Sequence, residues 1–248
     1  MEQVDFHFDP ICPWAWLTSR WASRLEALGE LEVRWRFFAL AVAHLKEGDD
    51  PGPAAELWGS PALRVLALAR RQGGNSGVAR LYTAIGTAVH EEGMSLMEDG
   101  TLPHALERAG MDPALLAKAL SDQTLWDEVL ADHRAAVAAC EAFGVPTIVL
   151  DGGRGPGAFG PVITRVPEDQ EAVALLQDTV RMLRRDYLFE IKRTAKGTHP
   201  WSEPRAPEPS HPAVGMRRGR GRWWGHGGAL RAGGAGVAGV GGSRPARP

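Results

Sequence analysis

The short apolar run Val4-Asp5-Phe6-His7-Phe8 passes directly into Asp9-Pro10-Ile11-Cys12-Pro13-Trp14-Ala15-Trp16, and helical periodicity begins there. This junction constrains the fold more than any other stretch. Residues 3–8 read as a strand. Over residues 13–29 the apolar positions Trp14, Leu17, Trp21, Leu25 and Leu28 recur every three or four residues, which predicts a helix with Gly29 at its C-cap. Leu31 through Leu40 alternates apolar and basic residues and then becomes continuously apolar, as a second strand does. Strand, helix and strand at this spacing make a βαβ unit, a parallel pair joined by a right-handed crossover.

Cys12 falls at the strand-to-helix turn. The free N–H groups of a first helical turn point at a side chain in this position, and the positive end of the helix dipole favours thiolate. Pro13 suits the first helical position because it has no N–H to leave unpaired. Cys12 is therefore expected to be a reactive thiol rather than one more small buried residue. A dithiol site would carry a second cysteine one turn on, but Ala15 stands there. Redox chemistry at Cys12 would then be monothiol chemistry, with the resolving thiol supplied by a second molecule.

From about residue 53 to 143 the strand pattern disappears. Helices are expected at 54–72, 77–92, 101–110, 113–120 and 123–143, separated by Gly73-Gly74-Asn75, Gly100 and Gly110-Met111-Asp112-Pro113, with Asp112 as an N-cap. The sheet resumes at Gly144-Val145-Pro146-Thr147-Ile148-Val149-Leu150-Asp151. A proline at the front of such a run requires a special role, such as starting the strand through a cis bond. Residues 152–157 read as a glycine-rich loop, 158–163 as a short partner strand and 168–189 as a last helix. The expected class is α/β. Its parts are residues 1–45, a helical insertion at 46–143, a return to the sheet at 144–193 and a tail at 194–248.

The tail has thirteen glycines and seven prolines in 55 residues and is expected to be disordered. Its charge surplus of seven leaves residues 1–193 at −9 within a net charge of −2. The Arg217-to-Trp224 segment mixes Arg, Gly and Trp as nucleic-acid-binding tails do, yet one short run is too weak to make nucleic acid an expected partner. Neither a secretory signal nor a membrane span is apparent, and two cysteines build no disulfide framework, so the expected compartment is the cytoplasm. No Cys/His cluster has metal-binding spacing, and no glycine-rich dinucleotide loop follows the first strand, so neither a metal nor a flavin or nicotinamide cofactor is expected.

Several stretches together resemble a known family. They are Asp5-Phe6, Asp9 to Trp16, Thr18-Ser19-Arg20-Trp21, Glu32-Val33-Arg34-Trp35, Leu81 to Gly86, Gly144 to Thr147, Phe159 to Val162 and Phe189 to Arg193. In this order they resemble the mycothiol-dependent nitroreductases, a cytoplasmic branch of the DsbA-type thioredoxin-like proteins. The resemblance covers residues 3–193. It implies a thioredoxin-like fold interrupted by a helical domain, a cis Val145–Pro146 bond whose backbone faces Cys12, and mycothiol as a cosubstrate. A mycoredoxin-type reductant and a homodimer are compatible with it. Family members with Cys-Pro-Trp-Cys resolve their own disulfide, whereas related kappa-class glutathione transferases and hydroxychromene carboxylate isomerases use a lone Ser or Cys without dithiol cycling.

On this reading Cys12, Pro13, Trp14 and Pro146 are the catalytic positions, and Trp16, Val145, Thr147 and His90 line the substrate or thiol site. Trp14 and Trp16 would wall an apolar pocket, although a core position explains Trp16 equally well. His90 could act as an acid or base, although an exposed helix end explains His90-Glu91-Glu92 more simply. Cys140, next to Ala138, Ala139 and Ala142, reads as an inert thiol. The competing functions are a thiol-dependent oxidoreductase acting on disulfide, nitro or other electrophilic substrates, a thiol-cofactor-dependent isomerase or transferase, and a non-enzymatic peptide-binding module.

Overall fold

The computed structural model describes residues 1–188 and 190–192. The tail 194–248 lies outside the described residues. A four-stranded sheet in the order β2-β1-β3-β4 organises the chain. Strand β1 (Glu2–Phe8), helix α1 (Pro13–Ala27) and strand β2 (Leu31–Phe37) form the expected βαβ unit, with β1 and β2 parallel and Phe6 opposite Trp35. Strands β3 (Thr147–Val149) and β4 (Gly157–Phe159) complete the sheet in antiparallel pairings. Gly29, at φ +74, follows α1 and lets Glu30 N–H reach back to the Leu25 carbonyl at 3.0 Å, so the helix stops where the sequence predicts.

Between the halves lie α2 (Leu40–Ala43), α3 (Ser60–Gly86), a π-helical turn (Thr87–Glu91), α4 (Thr101–Arg108), α5 (Leu115–Ser121) and α6 (Gln123–Cys140). Then come a four-residue turn, α7 (Leu150–Gly153), that is left-handed at Asp151 and Gly152, and the last helix, α8 (Asp169–Leu183). This is a thioredoxin-like sheet interrupted by a helical insertion. The two faces of the sheet carry different chemistry. Phe6 and Phe8 each meet Trp35 edge-on and Trp35 meets Tyr82 edge-on, while α1 and α8 are joined by Trp21 Nε1 donating to the Ala172 carbonyl at 3.1 Å. On the opposite face Asp5 pairs with Arg34 (2.6 Å) and Arg36 (3.0 Å), and Arg36 reaches Asp132 of α6 at 3.4 Å.

Helix α3 wraps one sheet edge. Its first half lies along α6, where Arg70 meets Asp132 at 2.5 Å. Its second half brings Tyr82 onto Phe8 with ring centroids 3.9 Å apart. The two halves break at Gly74, whose φ of 60° and ψ of −151° are open to glycine. There Asn75 accepts from Trp35 N–H at 2.8 Å and donates to the Val33 carbonyl at 2.7 Å, satisfying the outer edge of β2.

Several boundaries differ from expectation for identifiable reasons. The second strand ends at Phe37, because Leu40 N–H turns to the Asp9 carboxylate and starts α2. The helix expected from residue 54 starts at Ser60, after a 3-10 turn at Gly52–Glu56. The third strand shrinks to Thr147–Val149 because Asp151 is left-handed, and the fourth ends before Gly160 at φ +106. The last helix stops at Leu183 rather than 189, and α6 stops at Cys140, with Glu141 left-handed beyond it.

Candidate active site

Strand β1 delivers the chain to a tight turn in which Cys12 N–H donates to the Asp9 carbonyl at 3.0 Å. Cys12 is the N-cap of α1 and Pro13 occupies the first helical position, as the sequence predicts. Ala15 N–H donates to Cys12 Sγ at 3.5 Å, and Sγ donates to the Val145 carbonyl at 3.4 Å. The Val145–Pro146 peptide bond is cis. Gly160 N–H donates to the Pro146 carbonyl at 2.8 Å and ties this segment to the end of β4. The structure thus brings together Cys12, Pro13, Val145 and Pro146, from turns that the sheet holds side by side.

The ionisation of Cys12 is opposite to the expectation from its helix position. Burial pushes the thiol up to about 11, against the pull of the Ala15 and Trp14 N–H groups, and the Asp9 charge adds to the rise. The thiol is only 8% exposed, so loss of hydration outweighs the two N–H groups. Sγ rests as a protonated donor.

Three other expected site residues lie elsewhere in the packing. Trp16 does not wall a surface pocket. It is 2% exposed, meets Tyr82 edge-on at 5.8 Å, stacks on His90 at 6.0 Å and carries the Arg20 guanidinium 4.0 Å above its ring. Gly86 abuts the ring so closely that a Cβ there would lie 2.1 Å from it. Thr147 is fully buried, and its hydroxyl is committed to the Gly144 carbonyl at 2.8 Å, which closes the turn around Pro146. His90 is not at an exposed helix end. The π-helical turn buries it, and Nε2 donates to the Pro10 carbonyl at 2.8 Å, so it braces the Cys12 loop from behind. Trp14 is half-buried and packed against the core.

Asp9 is the residue that sequence reading passed over. It is 1% exposed, and its carboxylate accepts from Ile11 N–H at 3.1 Å and Leu40 N–H at 2.9 Å. Burial raises its pKa to about 6, opposed by those two N–H groups. The signal was a lone carboxylate at the end of an apolar strand, three residues before the cysteine. Cys140 is half-buried, its Sγ bonds the Ala136 carbonyl at 3.5 Å, and both cysteines are free thiols. Among the described residues no group of three or more His, Cys, Asp and Glu side chains could hold a metal ion, and no helix is long and apolar enough to cross a membrane.

The family model described as Rv2466c-like, mycothiol-dependent nitroreductase Rv2466c, matches residues 11–193. The uncharacterised protein Rv2286c of Mycobacterium tuberculosis is 36% identical over 194 residues, which cover 78% of this chain and 82% of that one. Among solved structures, a probable DsbA oxidoreductase from Streptomyces coelicolor has a TM-score of 0.51 at 24% identity, covering 79% of this chain and 97% of that one. A 2-hydroxychromene-2-carboxylate isomerase has a TM-score of 0.51 at 19% identity, covering 72% of this chain and 94% of that one. Oxidoreductase and isomerase thus share one scaffold, so the structural likeness establishes the fold and the sequence match establishes the family. From residue 11 to residue 193 this chain belongs to the Rv2466c-like family of mycothiol-dependent nitroreductases, within the thiol-dependent oxidoreductases.

Proposed function

We propose that this chain is a cytoplasmic monothiol oxidoreductase in which Cys12 alone forms the covalent adduct and a low-molecular-weight thiol, mycothiol, is the cosubstrate. The observation that carries this reading is the pairing of Cys12 at a helix N-cap with Ala15 one turn on, which offers a backbone N–H to Sγ and no second sulfur. Cys140 bonds back into its own helix and is not among the partners of Cys12. A fit to an external thiol follows, because the chain has no internal one to finish the reaction.

With a disulfide substrate, ionised Cys12 attacks one sulfur and expels the other half as thiolate. The mixed disulfide on Cys12 is then resolved by the incoming thiol, which leaves as a disulfide with the retained half while Cys12 recovers its electron pair. With a nitro substrate, Cys12 and the incoming thiol together give up two electrons and two protons, yielding a nitroso group, water and a disulfide. Val145 and Pro146 align Sγ, and Trp14 offers the partly exposed apolar surface beside it.

A specific observation favours a second reading. A thiol held protonated against the Val145 carbonyl suits a site that binds or activates a thiol cofactor without disulfide exchange, as an isomerase or transferase would. Intact-protein mass spectrometry separates the two. The protein and Cys12→Ser are incubated with oxidised mycothiol, glutathione disulfide and bacillithiol disulfide. A Cys12-dependent adduct selective for mycothiol supports the oxidoreductase. Absence of any adduct from folded protein refutes it and moves the reading to the isomerase.

A further inference from the structure

The carboxylate of Asp9 joins three parts of the chain that meet at the nucleophile. Oδ1 accepts from Ile11 N–H at 3.1 Å inside the Cys12 loop, and Oδ2 accepts from Leu40 N–H at 2.9 Å at the start of α2. The segment leading into α3 lies directly on it, since a Cβ on Gly59 would stand 2.2 Å from Oδ1 and 3.4 Å from the Ile11 Cβ. No room remains there for a side chain or a counterion. Asp9 makes no ion pair among the described residues, so two neutral N–H donors are its whole compensation. A buried carboxylate held this way keeps much of its field, and Cys12, whose N–H bonds the Asp9 carbonyl at 3.0 Å, lies in the same turn. The titratable groups that feel its charge are Cys12 at the start of α1 and Tyr82 of α3, His90 of the π-helical turn is bonded to the neighbouring Pro10 carbonyl, and α2 and the segment before α3 meet it through the Leu40 N–H and Gly59. The charge on Asp9 contributes to the raised pKa of Cys12.

We propose that Asp9 is a positioning residue that fixes the Cys12 loop and whose buried, unpaired charge restrains the ionisation of Cys12. The proposal rests on the reading of Cys12 as nucleophile. It concerns how readily Sγ loses its proton, whatever molecule Sγ then attacks. A neutral residue at position 9, or a protonated Asp9, leaves the thiolate easier to form.

The test is the rate of iodoacetamide alkylation of the full-length protein between about pH 5 and 9, with the Cys12-containing peptide quantified by mass spectrometry. This readout involves no mycothiol, so it fails or succeeds apart from the cosubstrate assignment. The Asp9 charge is the smallest of the influences on Cys12, and a lower thiol pKa raises the thiolate fraction more than it lowers nucleophilicity, so Asp9→Asn is expected to alkylate faster at pH 7, by no more than about threefold. In the wild type, the rate between about pH 5 and 7 should rise less than tenfold per pH unit as Asp9 ionises. That bend should disappear in Asp9→Asn and persist in His90→Gln. A folded Asp9→Asn protein that alkylates no faster overturns the proposal, as does loss of the bend in His90→Gln. If Asp9→Asn does not fold, the wild-type profile decides, and a straight tenfold rise per unit across that range overturns it.

Discussion

Cys12 Sγ donates to the backbone carbonyl of Val145 at 3.4 Å, across 133 positions of sequence. The bond needs the proton on sulfur, and burial reinforces it by pushing the thiol up to about 11. At pH 7 the thiolate fraction should be about a hundred times below that of an unperturbed cysteine, offset just under tenfold by greater intrinsic nucleophilicity. Cys12 in the resting protein is therefore expected to alkylate about tenfold more slowly than free cysteine. A stopped-flow profile that levels off near pH 7 would show that the helix terminus overrides burial.

Replacing Ala15 by Cys tests the monothiol reading directly. Ala15 is fully buried one turn after Cys12, with its N–H on Sγ. A thiol at that position is expected to displace any small thiol from Cys12 and close an intramolecular disulfide. Mixed disulfides that persist in the wild type should then be transient, as read by quenched intact-mass measurements. Equally persistent adducts in Ala15→Cys would contradict the idea that the missing second sulfur governs the chemistry.

The contact of Gly86 with Trp16 should dominate over helix propensity. Alanine is normally the better helix former, but here its Cβ would enter the Trp16 ring at 2.1 Å. Overpacking of this kind costs about 1–3 kcal/mol, so the urea midpoint of Gly86→Ala is expected to fall. An increase would mean that the ring moves aside freely.

Acid sensitivity should report on the polar face of the sheet. His133 is held down to about 4 by burial first and then by the charges of His7 and Arg134, and burial also lowers His7. Because the folded pKa values lie below the unfolded value, both residues contribute stability above about pH 6.5 that is lost as pH falls towards 4. Asp9 works in the opposite direction. Its raised pKa contributes stability below about pH 4 that is lost as pH rises through about 6. The stability difference between wild type and His133→Phe should therefore shift in favour of the variant between pH 7 and 4.5, as read from urea melts at both values. A difference independent of pH would assign the titration elsewhere.

Asn75 contributes through two hydrogen bonds to the backbone of β2, at 2.8 and 2.7 Å. Asn75→Ala leaves the Trp35 N–H and Val33 carbonyl to find water, at an expected cost of about 1–3 kcal/mol. Amide exchange at Trp35 should accelerate more than at Val4 in the neighbouring strand. Uniform acceleration would mean that the side chain supports the whole fold rather than its edge.

The parts of this molecule set by local pattern were legible in sequence. Alternation in Val4–Phe8, the Trp14/Leu17/Trp21 spacing and the Gly73-Gly74-Asn75 break gave β1, α1 and the kink in α3, because each depends on the chain's own periodicity. The helix-start position of Cys12 and Pro13 and the special role of Pro146 were legible because the turn chemistry of Cys and Pro is local, whereas the facing of Val145–Pro146 to Cys12 came only from the family resemblance. What sequence could not give were properties arising from distant segments meeting. The Cys12 pKa depends on how completely α1 and the 144–147 turn exclude water, and helix position alone predicted the wrong direction. His90 was read as exposed because Glu91 and Glu92 follow it, yet a single π-helical turn rotates its ring inward to Pro10. Trp16 was left open between pocket wall and core because nothing local revealed that Gly86 would be pressed against it.

The wrap of α3 around β2 also limits how two copies of this protein can associate. A sheet grows by offering unpaired N–H and C=O groups at an edge, and one of the two edges here is already answered by an asparagine from the same chain. Strand addition is left with β4, three residues long and bounded by the cis Gly160–Pro161 bond. A partner that extends the sheet among the described residues would therefore pair with β4, the strand farthest from β2 in the sheet order.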